Sequence, residues 1–191
     1  PGGSGALWAR RELLEAMPPF MSGGEMIHSV HLRHSTFADI PHKFEAGTPD
    51  VAAAIGLGAA VDYLTALDME NVAAHEEKLV AYSLAKLGRV PGITIYGETD
   101  PARAGEKVGV IPFNLDGVSH FLLAAILGYE GGIGVRSGCF CAHPYVVHLL
   151  GIGSADAGDW RDEILRGDKS NMPGMVRMSF GCYNNEEDVD R

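Results

Sequence analysis

The 191-residue chain is poor in basic residues and in cysteine. Lys and Arg number 15 against 25 Asp and Glu, a formal charge of −10. No basic stripe is present to replace the counterions condensed on a phosphate backbone, so no nucleic-acid partner is expected. Anionic membrane surfaces are disfavoured for the same reason. Long apolar runs are missing too. The longest, near 51–61 and 121–129, contain glycine and fall short of the ~20 residues of a membrane span. Cysteine occurs three times, as Cys139, Cys141 and Cys182. An odd and small count does not make a disulfide framework. A reducing, cytoplasmic setting is the expectation. There is no internal repeat and no low-complexity tract.

Glycine, by contrast, is abundant: 25 of 191 residues, well above the usual share of about 7%. The glycines are scattered, which points to tight turns and close backbone approaches. Apolar residues make up 46% and charged residues 21%, the balance of a globular chain, which excludes wholesale disorder. The chain opens on Pro1-Gly2-Gly3-Ser4-Gly5 running into Ala6-Leu7-Trp8-Ala9, a loop feeding a strand. It closes on Asn184-Asn185-Glu186-Glu187-Asp188, a helix start with an Asn cap and an acidic first turn. Fewer than two turns follow, too few for an independent helix. Both ends read as cut, and a fragment is expected.

Between them helices and strands mix. Arg10–Ala16 reads as a short helix closed by Pro18-Pro19, and His28–Leu32 as a strand. Thr48-Pro49-Asp50 reads as a helix start with Thr48 as N-cap. It leads into the Ala-rich stretch Val51–Leu67, where Gly56 and Gly58 call for close packing to offset about 1 kcal/mol each. A second helix spans about Glu70–Leu87, with Glu76, Glu77 and Lys78 on its solvated side and His75 on an exposed face. Ile93–Tyr96 and Val108–Leu115 read as strands, and Pro112 argues for an edge position or a bulge. Asp116–Ser119 caps a helix to about Leu127. Ile133–Val135 reads as a strand entering Arg136-Ser137-Gly138, His143–Leu150 as a helix, Trp160–Leu165 as a further helix, and Val176–Phe180 as a closing strand. His28, His31 and His34, spaced by three, do not share one strand face and receive no role. Helices long enough to cover a sheet imply an α/β architecture.

Chemistry concentrates in Arg136-Ser137-Gly138-Cys139-Phe140-Cys141-Ala142-His143-Pro144. Three readings stand. One cysteine is a nucleophile whose thiolate Arg136 or His143 favours. Or Cys139, Cys141 and His143 hold zinc, with Cys182 or a histidine as fourth ligand. Or both thiols are small buried hydrophobes. Arg177, within an apolar strand, needs a partner for its charge, and a guanidinium suits a carboxylate bound by two parallel hydrogen bonds.

Gly23-Gly24-Glu25-Met26-Ile27, Phe44-Glu45-Ala46-Gly47-Thr48-Pro49, Arg136-Ser137-Gly138-x-x-Cys141-Ala142 and Arg177-x-Ser179, in this order, resemble motifs of the SUF-type cysteine desulfurases and selenocysteine lyases. These are class V members of the fold type I pyridoxal phosphate enzymes. The resemblance covers nearly the whole chain. It implies the C-terminal part of a fold type I transferase: residues 1–64 as the end of the large cofactor-binding domain, and 65–191 as a small α+β domain carrying the cysteine loop. It implies a reaction in which sulfur leaves L-cysteine, is kept as a persulfide on Cys141, and alanine is released. It implies that Arg177 binds the substrate carboxylate, that Arg136 is a second active-site arginine, and that Thr48, with Gly47, reaches the cofactor phosphate of the neighbouring subunit. A homodimer and a sulfur-acceptor protein are the implied partners. Cys139 stands where the family allows other residues.

Two departures qualify the resemblance. The family's cofactor-anchoring lysine belongs just upstream of the turn at Pro1–Gly3, and none of Lys43, Lys78, Lys86, Lys107 or Lys169 fits that slot. The stretch of about 151–172 is longer than in the better-known desulfurases. The alternatives are an inert fragment, another class V lyase or aminotransferase, and a Cys/His metal-binding module.

Overall fold

The computed structural model describes residues 3–153, 165–167 and 172–191. The expected helix at Trp160–Leu165 and most of the long 151–172 stretch lie outside them. The chain divides into two compact units, Pro1–Leu67 and Asp68–Arg191.

In the first unit, helix α1 (Arg11–Ala16) precedes a two-stranded antiparallel hairpin, β1 (Ile27–Val30) and β2 (Ser35–Phe37). β2 escaped the sequence reading because it is three exposed residues long, too short for a period to show. The hairpin turn is closed by the His31 N–H on the His34 carbonyl (2.9 Å), and the two imidazoles stack with centroids 4.3 Å apart. Helix α2 (Val51–Leu67) follows. Its N-cap is Asp50, not Thr48: the Asp50 carboxylate accepts the Ala53 N–H at 3.0 Å. A carboxylate two residues further along outcompetes the hydroxyl for the first free amides. α2 is apolar on nearly all sides, yet none of its residues is buried. The close packing expected at Gly56 and Gly58 is not made among the described residues, none of which lies within 4 Å of either Cβ position.

The second unit is an antiparallel sheet with helices on both faces. Helix α3 (Met69–Leu87) is capped by Asp68, which accepts the Glu70 N–H at 3.1 Å. Strands β3 (Ile93–Ile95), β4 (Val110–Leu115), β5 (Arg136–Gly138) and β6 (Met175–Ser179) pair in the order β3-β4-β6-β5. β4 is therefore interior, against the edge position expected from Pro112. The exception has a local cause. Residues that exchange hydrogen bonds point N–H and C=O to the same side of a strand. The Pro112 carbonyl accepts the Tyr96 N–H at 3.0 Å, so its missing donor faces β3 just past the last ladder pair, Ile95 with Phe113. The strand expected at Ile133–Val135 also begins later, at Arg136. The Ile133 N–H is already engaged by the Leu127 carbonyl (2.8 Å) at the end of helix α4 (His120–Tyr129), and the ladder starts only where β6 offers Arg177 opposite Arg136.

The two sheet faces differ. On one, Ile111 packs with Val80 and Leu84 of α3 and Ala104, joined by Ile95 and Met178. On the other, Met175 packs with Cys139 and with Val146 of helix α5 (His143–Leu149). His75 and Glu76 are half-buried rather than solvated: His75 Nε2 lies 2.8 Å from the Asn184 carbonyl, and Glu76 accepts the Gly109 N–H at 3.2 Å. No single helix among the described residues is long and apolar enough to cross a membrane.

The last helix, α6 (Glu186–Asp190), is stable despite its length because both ends are tied. Asn185 and Asp188 form a reciprocal capping box. Asp190 accepts the Tyr82 hydroxyl at 2.8 Å and pairs with Lys86 at 2.8 Å. The Asn184 side chain and the Asn185 amide hold the Asp188 carboxyl below the usual range, and Lys86 with Tyr82 does the same for Asp190. Carboxyls depressed in the folded state stabilise α6 above their unfolded pKa and lose that contribution as pH falls through the folded value. Chemical shifts of residues 186–190 should therefore be helical at pH 6 and lose helicity as the pH drops below about 4, while α3 persists. Helical shifts retained at pH 2 would refute this. A second expectation concerns Gly174, where a Cβ would meet His120 Nε2 at 2.6 Å and Gly138 Cα at 2.8 Å. Gly174→Ala should cost about 1–3 kcal/mol as overpacking, read as a lowered thermal midpoint.

Candidate functional site

β5 delivers the cysteine loop. Gly138 (φ 106°), Phe140 (φ 53°) and Cys141 (φ 60°) all take positive φ. Left-handed backbone costs roughly 1–2 kcal/mol per non-glycine residue, so two in succession need outside support. It comes from the Ala142 N–H on the Cys139 carbonyl (2.8 Å), from the Cys139 thiol on the Pro173 carbonyl (3.1 Å), and from Arg177, whose guanidinium carbon lies 5.2 Å from the Phe140 ring centroid. The reversal of the chain separates the two thiols. Cys139 is 6% exposed, whereas Cys141 faces solvent. Burial pushes the Cys139 thiol up, away from the reactive thiolate. Of the three readings of this cluster, the small buried hydrophobe describes Cys139, and only Cys141 is placed to react. Among the described residues no three His, Cys, Asp or Glu side chains gather at metal-holding distance, so Cys139, Cys141 and His143 are not brought together as a zinc ligand set.

Arg177 and Arg136 stand directly opposite each other on β6 and β5. Like charges at such positions repel. Neither forms an ion pair among the described residues. The Arg177 Nε–H donates to Ser179 Oγ at 3.1 Å, and its terminal nitrogens make no hydrogen bond among the described residues. The stack on Phe140 sets Arg177 one residue from Cys141. An arginine pair with no acidic partner among the described residues, lying against the residue that precedes an exposed thiol, is suited to hold a small anion near a sulfur nucleophile. Sequence reasoning gave no role to Phe140 or Ser179; the spacing Arg177-x-Ser179, which returns both side chains to one strand face, was the available signal for the latter.

Thr48 and Gly47 belong to the first unit. Gly47 (φ 81°) turns the chain, and its N–H donates to the Gly24 carbonyl at 2.9 Å. The segments around Gly23-Gly24 and Ala46-Gly47, separate in sequence, are therefore in contact; a Cβ on Gly23 would lie 3.3 Å from Gly47 N. Thr48 is exposed, and its hydroxyl makes no hydrogen bond among the described residues. At the start of α2 the Asp50 carboxylate takes the Ala53 N–H, a charge that opposes a second anion there, and the Gly47 N–H is engaged by Gly24.

Known proteins resemble this chain throughout its length. A family model, Aminotransferase class-V, matches residues 1–191. A probable cysteine desulfurase of Streptomyces coelicolor is 40% identical over 190 residues, covering 100% of this chain and 40% of the relative. The cysteine desulfurase of Haloferax volcanii is 40% identical over 191 residues, covering 100% of this chain and 39% of the relative. Among solved structures, the cysteine desulfurase CsdA of Escherichia coli superposes with a TM-score of 0.74 at 30% identity, covering 96% of this chain and 39% of that one. A cysteine desulfurase of Thermococcus onnurineus superposes with 0.73 at 31% identity, again over 96% and 39%. The chain thus spans about 40% of the length of the curated relatives it matches. Its mixed sheet-and-helix architecture is part of the α/β fold type I of pyridoxal phosphate enzymes, and the chain belongs to the class V aminotransferase family.

Proposed function

We propose that this chain is the C-terminal portion of a pyridoxal phosphate-dependent cysteine desulfurase, and that Cys141 is its sulfur-accepting nucleophile. The observation that carries the proposal is the exposed Cys141 on a strained loop, next in sequence to Phe140, over which lies Arg177, one of an arginine pair with no acidic partner among the described residues. The desulfurase relatives at 40% identity support the reaction class.

Arg177 holds the α-carboxylate of L-cysteine through its terminal nitrogens, and Arg136 adds positive charge from across the sheet. When bound, pyridoxal phosphate supplies an electron sink that lets the substrate Cβ–S bond part. The Cys141 thiolate forms a new S–S bond to the substrate sulfur as that Cβ–S bond breaks. The electron pair of the broken bond stays with carbon, which takes up a proton and leaves as alanine. Cys141 keeps the sulfur as a persulfide, and its exposure lets an acceptor protein take it. The Thr48 hydroxyl meets the cofactor phosphate of the neighbouring subunit, with Gly47 setting the turn rather than donating.

The anchoring lysine belongs to the longer parent protein. Lys43 bonds the Glu15 carbonyl at 2.9 Å, Lys86 pairs with Asp190, and Lys107 bonds the Glu98 carbonyl at 3.0 Å, so these three are engaged structurally. The exposed apolar side chains of α2, among them Val51, Ile55 and Val61, are the kind of surface that a second subunit and the remainder of the parent cover. A cytoplasmic setting suits the free thiols.

Two outcomes test this in the full-length protein. After exposure to L-cysteine, mass spectrometry should find one added sulfur on the Cys141 peptide. Cys141→Ser should abolish both this adduct and alanine release, while Cys139→Ser keeps most of it. An adduct on Cys139, or alanine release that survives Cys141→Ser, would overturn the assignment. Separately, Arg177→Ala removes a charge-assisted carboxylate contact of about 1.5–3 kcal/mol, so KM for L-cysteine should rise about ten- to hundredfold. An unchanged KM would place the carboxylate elsewhere.

A further inference from the structure

Three consecutive carbonyls at the entrance to β6 are each held by a side chain from a different element. His120, the first residue of α4 and 7% exposed, places Nε2 at 3.0 Å from the Met172 carbonyl, which puts the ring proton on Nε2. The Cys139 thiol donates to the Pro173 carbonyl at 3.1 Å. The Asn114 amide of β4 donates to the Gly174 carbonyl at 3.1 Å. Gly174 has no room for a Cβ, since Gly138 Cα and the His120 ring would lie under 3 Å from it. The segment Met172–Gly174 is thus pressed against the start of the cysteine loop without an intervening side chain. Three residues later β6 presents Arg177.

We propose that Cys139 is a positioning residue: with His120 and Asn114 it clamps the Met172–Gly174 segment, and so holds the left-handed Phe140–Cys141 segment at a set distance from Arg177. The inference rests on Cys141 being the nucleophile and gives the second cysteine a role other than sulfur chemistry. Burial keeps Cys139 protonated, which preserves its donor. Of the clamp's three bonds, the one made by Cys139 is the only one that originates in the loop itself. Serine retains an O–H donor at the same place; alanine does not.

The test is amide hydrogen exchange by mass spectrometry on the full-length protein, comparing the wild type with Cys139→Ser, Cys139→Ala and Asn114→Ala. Peptides covering 138–142 and 172–176 are the reporters, and α3 is the reference for global unfolding. Cys139→Ala and Asn114→Ala should each raise exchange in both reporters by about threefold or more, the scale of one lost net hydrogen bond. Cys139→Ser should stay within about twofold of wild type. In turnover with L-cysteine, Cys139→Ala should lower kcat and leave KM unchanged, with recovery in Cys139→Ser. Exchange that rises at 172–176 alone, or a serine variant that behaves like alanine, would overturn the proposal. If Cys139→Ala unfolds globally, Asn114→Ala decides: exchange at 138–142 left unchanged overturns it. Exchange requires no turnover, so a protein that forms no persulfide on Cys141 would refute the proposed reaction while the clamp is still judged on its own readout.

Discussion

The antiparallel pairing of β5 with β6 is the interaction on which the site depends. Three residue pairs, Arg136 with Arg177, Ser137 with Val176 and Gly138 with Met175, join segments separated by about forty positions in the chain. That ladder sets two arginines opposite each other despite their repulsion. It also ends at Gly138, so the loop that carries Cys141 leaves the sheet beside the segment that leads into Arg177. Without this register the guanidinium would not lie over Phe140, the residue before Cys141.

The loop's geometry shows what the pairing must oppose. Phe140 and Cys141 sit in a backbone region that few non-glycine residues adopt, and such strain persists only where the surroundings over-determine it. Here they do so through the guanidinium stacked on Phe140, the Ala142 amide closing the turn, and the buried thiol of Cys139. The result is one cysteine turned inward and its neighbour two residues away turned outward. Difference in burial, rather than difference in residue type, separates their chemistry.

Much of the fold was legible in the sequence. α3, α4 and strands β3, β4 and β6 follow from apolar patterning, and the cap at Ser119 was read from the sequence, whereas β5 begins past the apolar stretch expected to form it. The errors have physical causes. Pro112 suggested an edge, but its missing donor falls where β3 has already ended. Thr48 suggested a cap, but Asp50 two residues on takes the Ala53 amide. α6 looked too short to persist, and alone it would be; Tyr82 and Lys86, more than a hundred residues earlier, hold its end. The Pro112 and α6 cases depend on partners distant in sequence, which local pattern does not reveal, whereas the cap was a local choice between two neighbouring side chains.

For the site, the sequence by itself determined the inventory. A thiol-rich turn following an apolar strand, an arginine inside another strand, and a glycine–threonine pair ahead of a helix are local features, and their order along the chain carries the resemblance to class V enzymes. Tertiary structure alone decided which thiol is exposed, which arginine lies over the neighbouring Phe140, and that the Gly47 amide is engaged by Gly24. Asn114, His120 and Cys139, with no motif in common, converge on three adjacent carbonyls only because β4, α4 and β5 are packed around the entrance to β6. Local propensity sets the elements; which side chain meets which carbonyl is settled by strand register and burial, and those exist only once the sheet has formed.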